Sequence, residues 1–181
     1  MSNSTAKNSP TTDKHSPLFL VMGVSGCGKS TVAKALSESL KIPFIEADDF
    51  HPASNILKMK NSQPLDDNDR EPWLQNLALE LKKNEDNGAV LACSALKEKY
   101  RTTLNSMISK PLQIIYLEGS FELIKNRIDQ RAGHFMASQL LQSQFNTLEK
   151  PKNAWTFDIQ NNLTTIHLQI LEKIKTTNKN G

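Results

Sequence analysis

The chain has 181 residues, 38% of them hydrophobic and 23% charged, with a formal net charge of +3. That length suits one ordinary globular domain with a real core. No apolar run is longer than Leu18 to Met22, which excludes a membrane-spanning helix, and so small a charge, spread along the chain, argues for no nucleic-acid surface.

The first residues are polar and rich in Ser, Thr and Asn. They lack the apolar core of a signal peptide and predict a disordered tail over residues 1–16 of a cytoplasmic protein. Leu18 to Met22 then stops at a glycine, as a strand buried on both faces does. Lys29 to Leu40 follows as a helix, with Val32, Ala33, Leu36 and Leu40 at helical spacing. Pro43 to Ala47 predicts a second strand, Pro52 to Lys60 a helix, and Arg70 to Lys83 another helix with Pro72 at its start. Further strands are expected at Ala89–Cys93, Leu112–Leu117 and Thr156–Ile159. Helices are expected at Ala95–Ile108, Phe121–Arg131, Ala137–Leu148 and Leu163–Lys175. This alternation implies right-handed crossovers and a mainly parallel sheet covered on both faces. Such sheets bind ligands beyond the carboxyl ends of their strands.

Gly23-Val24-Ser25-Gly26-Cys27-Gly28-Lys29-Ser30 matches the phosphate-loop pattern G-x-x-x-x-G-K-[ST], with a buried strand before it and a helix after it. A chance match in a chain this size is on the order of 1 in 100 to 1 in 200. The glycines let backbone N–H groups converge on one anion, and the helix start adds its positive end. Lys29 is expected to reach the β- and γ-phosphates, Ser30 to ligate Mg²⁺, and Thr31 to complete the ATP site. Cys27 has no assigned chemistry beyond being a loop residue. The two cysteines, Cys27 and Cys93, read as reduced thiols rather than a disulfide framework.

The loop alone is shared by GTPases, motor ATPases and small-molecule kinases. No Asn-Lys-x-Asp guanine-reading motif occurs, and no apolar strand ends in an aspartate that could hold Mg²⁺ in the manner of a switch protein. A compact kinase is favoured. A kinase must cover its phosphates. Arg127 and Arg131, four apart on one helical face, precede Ala132-Gly133 and then His134. An exposed basic face would look the same; the glycine hinge favours a lid.

Together the motifs resemble the P-loop gluconokinases of the shikimate-kinase and nucleotide-kinase-like group. The resemblance runs from Leu18 to about Pro151 and rests on the phosphate loop, Asp48-Asp49-Phe50-His51-Pro52, Asn55-Ile56-Leu57-Lys58-Met59 and Pro64-Leu65-Asp66-Asp67-Asn68-Asp69-Arg70. It continues through Pro72-Trp73-Leu74, Cys93-Ser94-Ala95-Leu96-Lys97, Tyr100-Arg101, Arg131-Ala132-Gly133-His134-Phe135-Met136 and Leu140-Leu141-Gln142-Ser143-Gln144. It implies an α/β, three-layer P-loop kinase fold with a five-stranded, mainly parallel sheet and a small helical lid, often as a homodimer. One kinase domain is expected over 17–177, with its lid at about 127–148 and a C-terminal tail over 178–181. The implied reaction is ATP-dependent phosphorylation of D-gluconate to 6-phosphogluconate. A kinase for another polyol acid, a shikimate-like or nucleoside monophosphate kinase, and a non-catalytic nucleotide-binding regulator remain alternatives. Glu46-Ala47-Asp48 departs from the family's usual Asp-Gly-Asp, and Cys27 from its usual serine.

Gluconate needs cations for its carboxylate, hydrogen-bonding groups for its hydroxyls and a base near O6. Asp48, following the second strand, is the candidate base, with Lys29 and Arg131 as its catalytic companions. Glu46 is a candidate outer-shell Mg²⁺ partner. His51 is assigned to a substrate hydroxyl or to helix entry, and Asp49 to capping the next helix or to substrate. Arg70 suits the carboxylate, or pairs with the acids around it. Lys97 and Arg101, four apart in an expected helix, are read as converging on the same anion. His134, in the lid, is a candidate contact to substrate or phosphate, and Gln144 a candidate substrate contact from the next helix. Trp73 belongs to an apolar stripe with Leu77 and Leu81 and reads as core.

Overall fold

The computed structural model describes residues 16–61, 63–132 and 136–177, with side chains described outside 131–139. Five parallel strands form one sheet: β1 (Leu18–Met22), β2 (Phe44–Glu46), β3 (Ala89–Ala92), β4 (Gln113–Glu118) and β5 (Ala154–Asp158). Their spatial order is β2-β3-β1-β4-β5. β1 is central and buried along its whole length, with Val21 opposite Ala92 and Met22 opposite Tyr116 in register. All four strand pairings are parallel, as a continuous apolar strand with no solvent face requires.

The period-two alternation of β1 divides the core. Phe19 and Val21 join Leu36 of α1 (Lys29–Leu40) and Ile170 and Ile174 of α7 (Leu163–Thr177) on one face. Leu18, Leu20 and Met22 join Trp73, Leu77 and Leu81 of α3 (Asp67–Lys83) and Leu104 of α4 (Glu98–Asn105) on the other. Each fully buried leucine contributes about 1.5–3 kcal/mol relative to exposure. The remaining helices are α2 (Ala53–Lys60), α5 (Phe121–Ala132) and α6 (Met136–Thr147). No helix among the described residues is long and apolar enough to cross a membrane.

Three boundaries near the strand ends differ from the sequence reading. β2 stops at Glu46, and Ala47–Phe50 form a 3-10 turn, so Asp48 sits on that turn. The helix expected from Arg70 begins at Asp67, because Asp66 and Asp69 close a reciprocal capping box. Pro72 therefore lies inside α3 and only removes the donor that would have reached Asn68. The helix expected from Ala95 begins at Glu98 instead. Ala95 is held at φ 42° and Lys97 is extended, so residues 93–97 form a loop. Residues 1–15 of the tail expected over 1–16, residues 133–135 of the expected lid and the C-terminal tail lie outside the described residues.

Candidate active site

The phosphate loop leaves β1 and ends where Gly28, in the left-handed region, opens α1. Gly26 has φ 82°, and a Cβ there would stand 2.7 Å from Ile128 of α5. Only glycine allows this close approach of helix to loop. Lys29 Nζ donates to the Val24 carbonyl at 3.1 Å, which folds the lysine back across the loop. Ser30 and Thr31 lie on the first turn of α1, beside its positive end. These groups make a built anion-binding cradle. Cys27 is 2% exposed. Burial pushes its thiol above the ordinary value even though Lys29 and Arg127 pull it down, so it stays a packed, protonated thiol.

Two helices, α5 and α6, rest on the cradle. Ile124 and Ile128 of α5 meet Gly26, and Leu141 of α6 is buried in the same core as Val24. Phe121 of α5 and Phe145 of α6 meet edge to face at 5.6 Å. Gln144 Oε1 accepts the Ser25 backbone N–H at 2.6 Å. Gln144, expected at the acceptor, therefore touches the phosphate loop itself. Arg127 lies near Cys27, but its guanidinium donates to the Ile159 carbonyl just past β5. The backbone of Arg131 lies in the last turn of α5; its side chain and all of His134 lie outside the described residues.

Across the sheet edge, the turn carrying Asp48 is pinned from below. Trp73 Nε1 donates to the Ala47 carbonyl at 2.7 Å. His51 stacks on the same indole, with ring centroids 4.3 Å apart at 12°. Asn55, buried in α2, points its amide nitrogen at His51 Nδ1 (3.4 Å). An amide NH₂ can only donate, so Nδ1 accepts and Nε2 carries the proton. That N–H faces the Asp48 carboxylate at 4.0 Å. Asp48 is 86% exposed and His51 only 7% at the side chain. Burial lowers the His51 pKa below its ordinary value, opposed by Asp48 and reinforced by Arg70. Asp49 is exposed on the turn, while Pro52 holds the cap position of α2 without a side-chain bond, so Asp49 does not cap that helix.

Between the two sides stands Cys93, just past β3. It feels Lys29, Asp48 and Glu46 together, although burial dominates and pushes its thiol up to about 12. The phosphate-loop lysine, Glu46 at the end of β2 and Asp48 on the turn after it thus all act electrostatically on this thiol.

The third part of the site is cationic. Arg70, Lys97 and Lys99 lie 5.8, 5.6 and 5.8 Å from the Tyr100 ring centroid. One carboxylate binds the two lysines and the tyrosine hydroxyl, but not Arg70. Asp67 accepts from Lys97 at 3.0 and 3.1 Å, from Lys99 and from the Tyr100 hydroxyl. These donors hold Asp67 well below the usual carboxylate range, Lys99 contributing most. Arg70 also donates to the Leu65 and Asp66 carbonyls. Arg101 departs from the sequence reading. It is buried at 6% exposure, and its guanidinium donates to the Ala95 (2.8 Å) and Leu96 (3.2 Å) carbonyls. Lys97 precedes α4 and Arg101 lies within it, so the two do not share a helical face aimed at one anion. Asp67, Lys99 and Glu149 were not singled out from the sequence. The acidic run before Arg70 could have signalled the earlier helix start; nothing local signals Glu149.

The model of the family described as "AAA domain" matches residues 18–151, which span the cradle, the Asp48 turn and the cationic group. The chain is 38% identical to the thermoresistant gluconokinase of Escherichia coli K12, over 91% of this chain and 97% of that one. It is 45% identical to the gluconokinase of Gluconobacter oxydans, over 75% of this chain and 77% of that one. The chain belongs to the gluconokinase family. A crystal structure of a gluconokinase from Sinorhizobium meliloti 1021 superposes with a TM-score of 0.83 at 40% identity, covering 91% of this chain and 94% of that one. The gluconokinase fold thus extends beyond the cradle to the segments that carry Asp48, Arg70 and Lys97, and its phosphate loop is a nucleotide-binding loop for ATP.

Proposed function

We propose that this chain transfers the γ-phosphoryl group of ATP to O6 of D-gluconate, giving 6-phospho-D-gluconate and ADP. The observation that carries the reading is the pairing, in a member of this family, of a phosphate cradle with a cluster of three cations, Arg70, Lys97 and Lys99, around Tyr100. Such a cluster suits an acidic acceptor, and a planar guanidinium suits its carboxylate. Arg70 and Lys97 take the carboxylate end. His51, neutral and with Nε2–H outward, donates to a hydroxyl. Asp48 lies at the far end, on the Lys29 side, and accepts the O6 proton as the phosphoryl group arrives.

On the donor side Lys29 exchanges the Val24 carbonyl for the β- and γ-phosphates, and residues Gly23 to Thr31 wrap the remainder. Lys29, Arg127 and Arg131 neutralise charge that builds on the transferring group. His134 belongs to the same cover. No group of three or more His, Cys, Asp or Glu side chains able to hold a metal occurs among the described residues. Mg²⁺ suits this, because it binds few protein groups and keeps waters and phosphate oxygens. Ser30 would be its direct ligand and Glu46 a partner of its waters; bound there, the ion would supply charge neutralisation for the phosphates. Arg101 acts through the 93–97 loop, and Gln144 through the phosphate loop.

The product identifies the reaction. Phosphorus and carbon NMR of a turnover mixture of ATP, Mg²⁺ and gluconate should place the new phosphate ester on C6. An ester elsewhere, or release of free phosphate alone, contradicts the reading.

A further inference from the structure

Lys97 reaches Asp67 from a loop that cannot hold itself in place. Residues 93–97 have no regular structure, and Ala95 adopts a φ of 42° that residues with a side chain avoid. α4 begins immediately after Lys97, and its cap residue makes no side-chain bond to the helix. The missing acceptor comes from a segment 51 residues away. Glu149, two residues past α6, accepts the Glu98 backbone N–H at 2.6 Å through Oε2. Its own N–H donates to the Leu96 carbonyl at 2.8 Å. Both neighbours of Lys97 are thus bonded to one residue. Arg101, which bonds the Ala95 and Leu96 carbonyls from the other side, is electrostatically drawn to Glu149 and Glu98.

We propose that Glu149 is a positioning residue for the acceptor anion: it caps α4 from outside, fixes Leu96 to Glu98, and so aims Lys97. The proposal rests on the reading of Lys97 as a contact to the acceptor's carboxylate. A carboxylate at a helix start is favoured both as hydrogen-bond acceptor and by the helix's positive end. Gln144, five residues earlier, bonds the phosphate loop, so the ATP KM reports whether a change at Glu149 spreads beyond the acceptor side.

The test compares Glu149→Ala, Glu149→Gln and Lys97→Met in the full chain by steady-state kinetics in both substrates, with a thermal melt of each. Glu149→Ala should raise the gluconate KM about tenfold, the scale of one charge-assisted hydrogen bond, while kcat and the ATP KM stay within about twofold. Glu149→Gln keeps an acceptor oxygen and should recover most of that loss. Lys97→Met should raise the gluconate KM at least as much. If Lys97→Met raises it and Glu149→Ala does not, the positioning role is overturned and the reading of Lys97 stands. If Lys97→Met leaves it unchanged, both fall. If Glu149→Ala raises both KM values together, Glu149 is only a structural brace and the proposal is overturned.

Discussion

Trp73 donates its indole N–H to the carbonyl of Ala47, the residue immediately before Asp48, and does so from the middle of the apolar stripe of α3. Core and active site meet in that one bond: the ring is buried, its polar edge holds the turn, and its face supports His51. Trp73→Phe keeps a ring and deletes the donor. Leaving the buried Ala47 carbonyl unmet costs about 1–3 kcal/mol. At this size that lowers Tm by roughly 2–12 °C. The gluconate KM should rise with the ATP KM unchanged. A variant that melts and binds gluconate like the parent would show that the bond does not hold the turn.

Asp48 is exposed at the mouth of the site, as a group that must meet the reacting oxygen should be. Asp48→Asn preserves its shape and removes the base. Turnover should fall by at least ~10²-fold, the usual scale for a general base, with ATP affinity retained. A near-normal rate would remove Asp48 from the chemistry.

His51 carries a pH dependence with a definite sign. Burial lowers its pKa from the ordinary 6.5. The unfolded chain therefore takes up this proton before the folded one does. Its contribution is complete above about pH 6.5 and is lost as the pH falls through the window below that value. His51→Phe keeps the stack on Trp73 and removes the titration. Between about pH 8 and 7 the melting curves of parent and variant should stay a constant distance apart; towards about pH 5 the parent should lose more. Parallel losses down to that pH would contradict a neutral, buried His51.

Gln144 occupies one N–H of the phosphate loop. Gln144→Glu still offers Ser25 an acceptor but sets a full negative charge beside the loop. Two like charges about 5 Å apart at an effective dielectric near 20 repel by a few kcal/mol. ATP affinity, read by calorimetry, should fall at least about tenfold in Gln144→Glu and less in Gln144→Ala. Equal ATP affinity in Gln144→Glu and the parent would place Gln144 away from the bound phosphates.

The sheet and the cradle were legible in the sequence because each is written locally, as an apolar run and a glycine pattern; the acids after the second strand were legible too, but not the 3-10 turn that carries Asp48. The resemblance to gluconokinases agrees with the relatives and with the superposed structure. Side-chain commitments across the fold were not legible. Arg101 looks like a second anion ligand by spacing, yet Ala95 leaves the helical region and the guanidinium turns inward to hold the loop that results. Gln144 reads as a lid contact, but α6 packs so closely on the loop that its amide reaches Ser25. Asp67 hides in an acidic run, and only the fold brings Lys97, Lys99 and Tyr100 to it.

The central claim concerns the acceptor, and a panel of acceptors tests it most directly. ADP release should be followed with gluconate, shikimate, gluconolactone, glucose and AMP at equal concentration with ATP and Mg²⁺. Membership of the gluconokinase family, with the cation cluster around Tyr100, predicts turnover with gluconate well above any of the others. Turnover with another acceptor and none with gluconate would contradict the account.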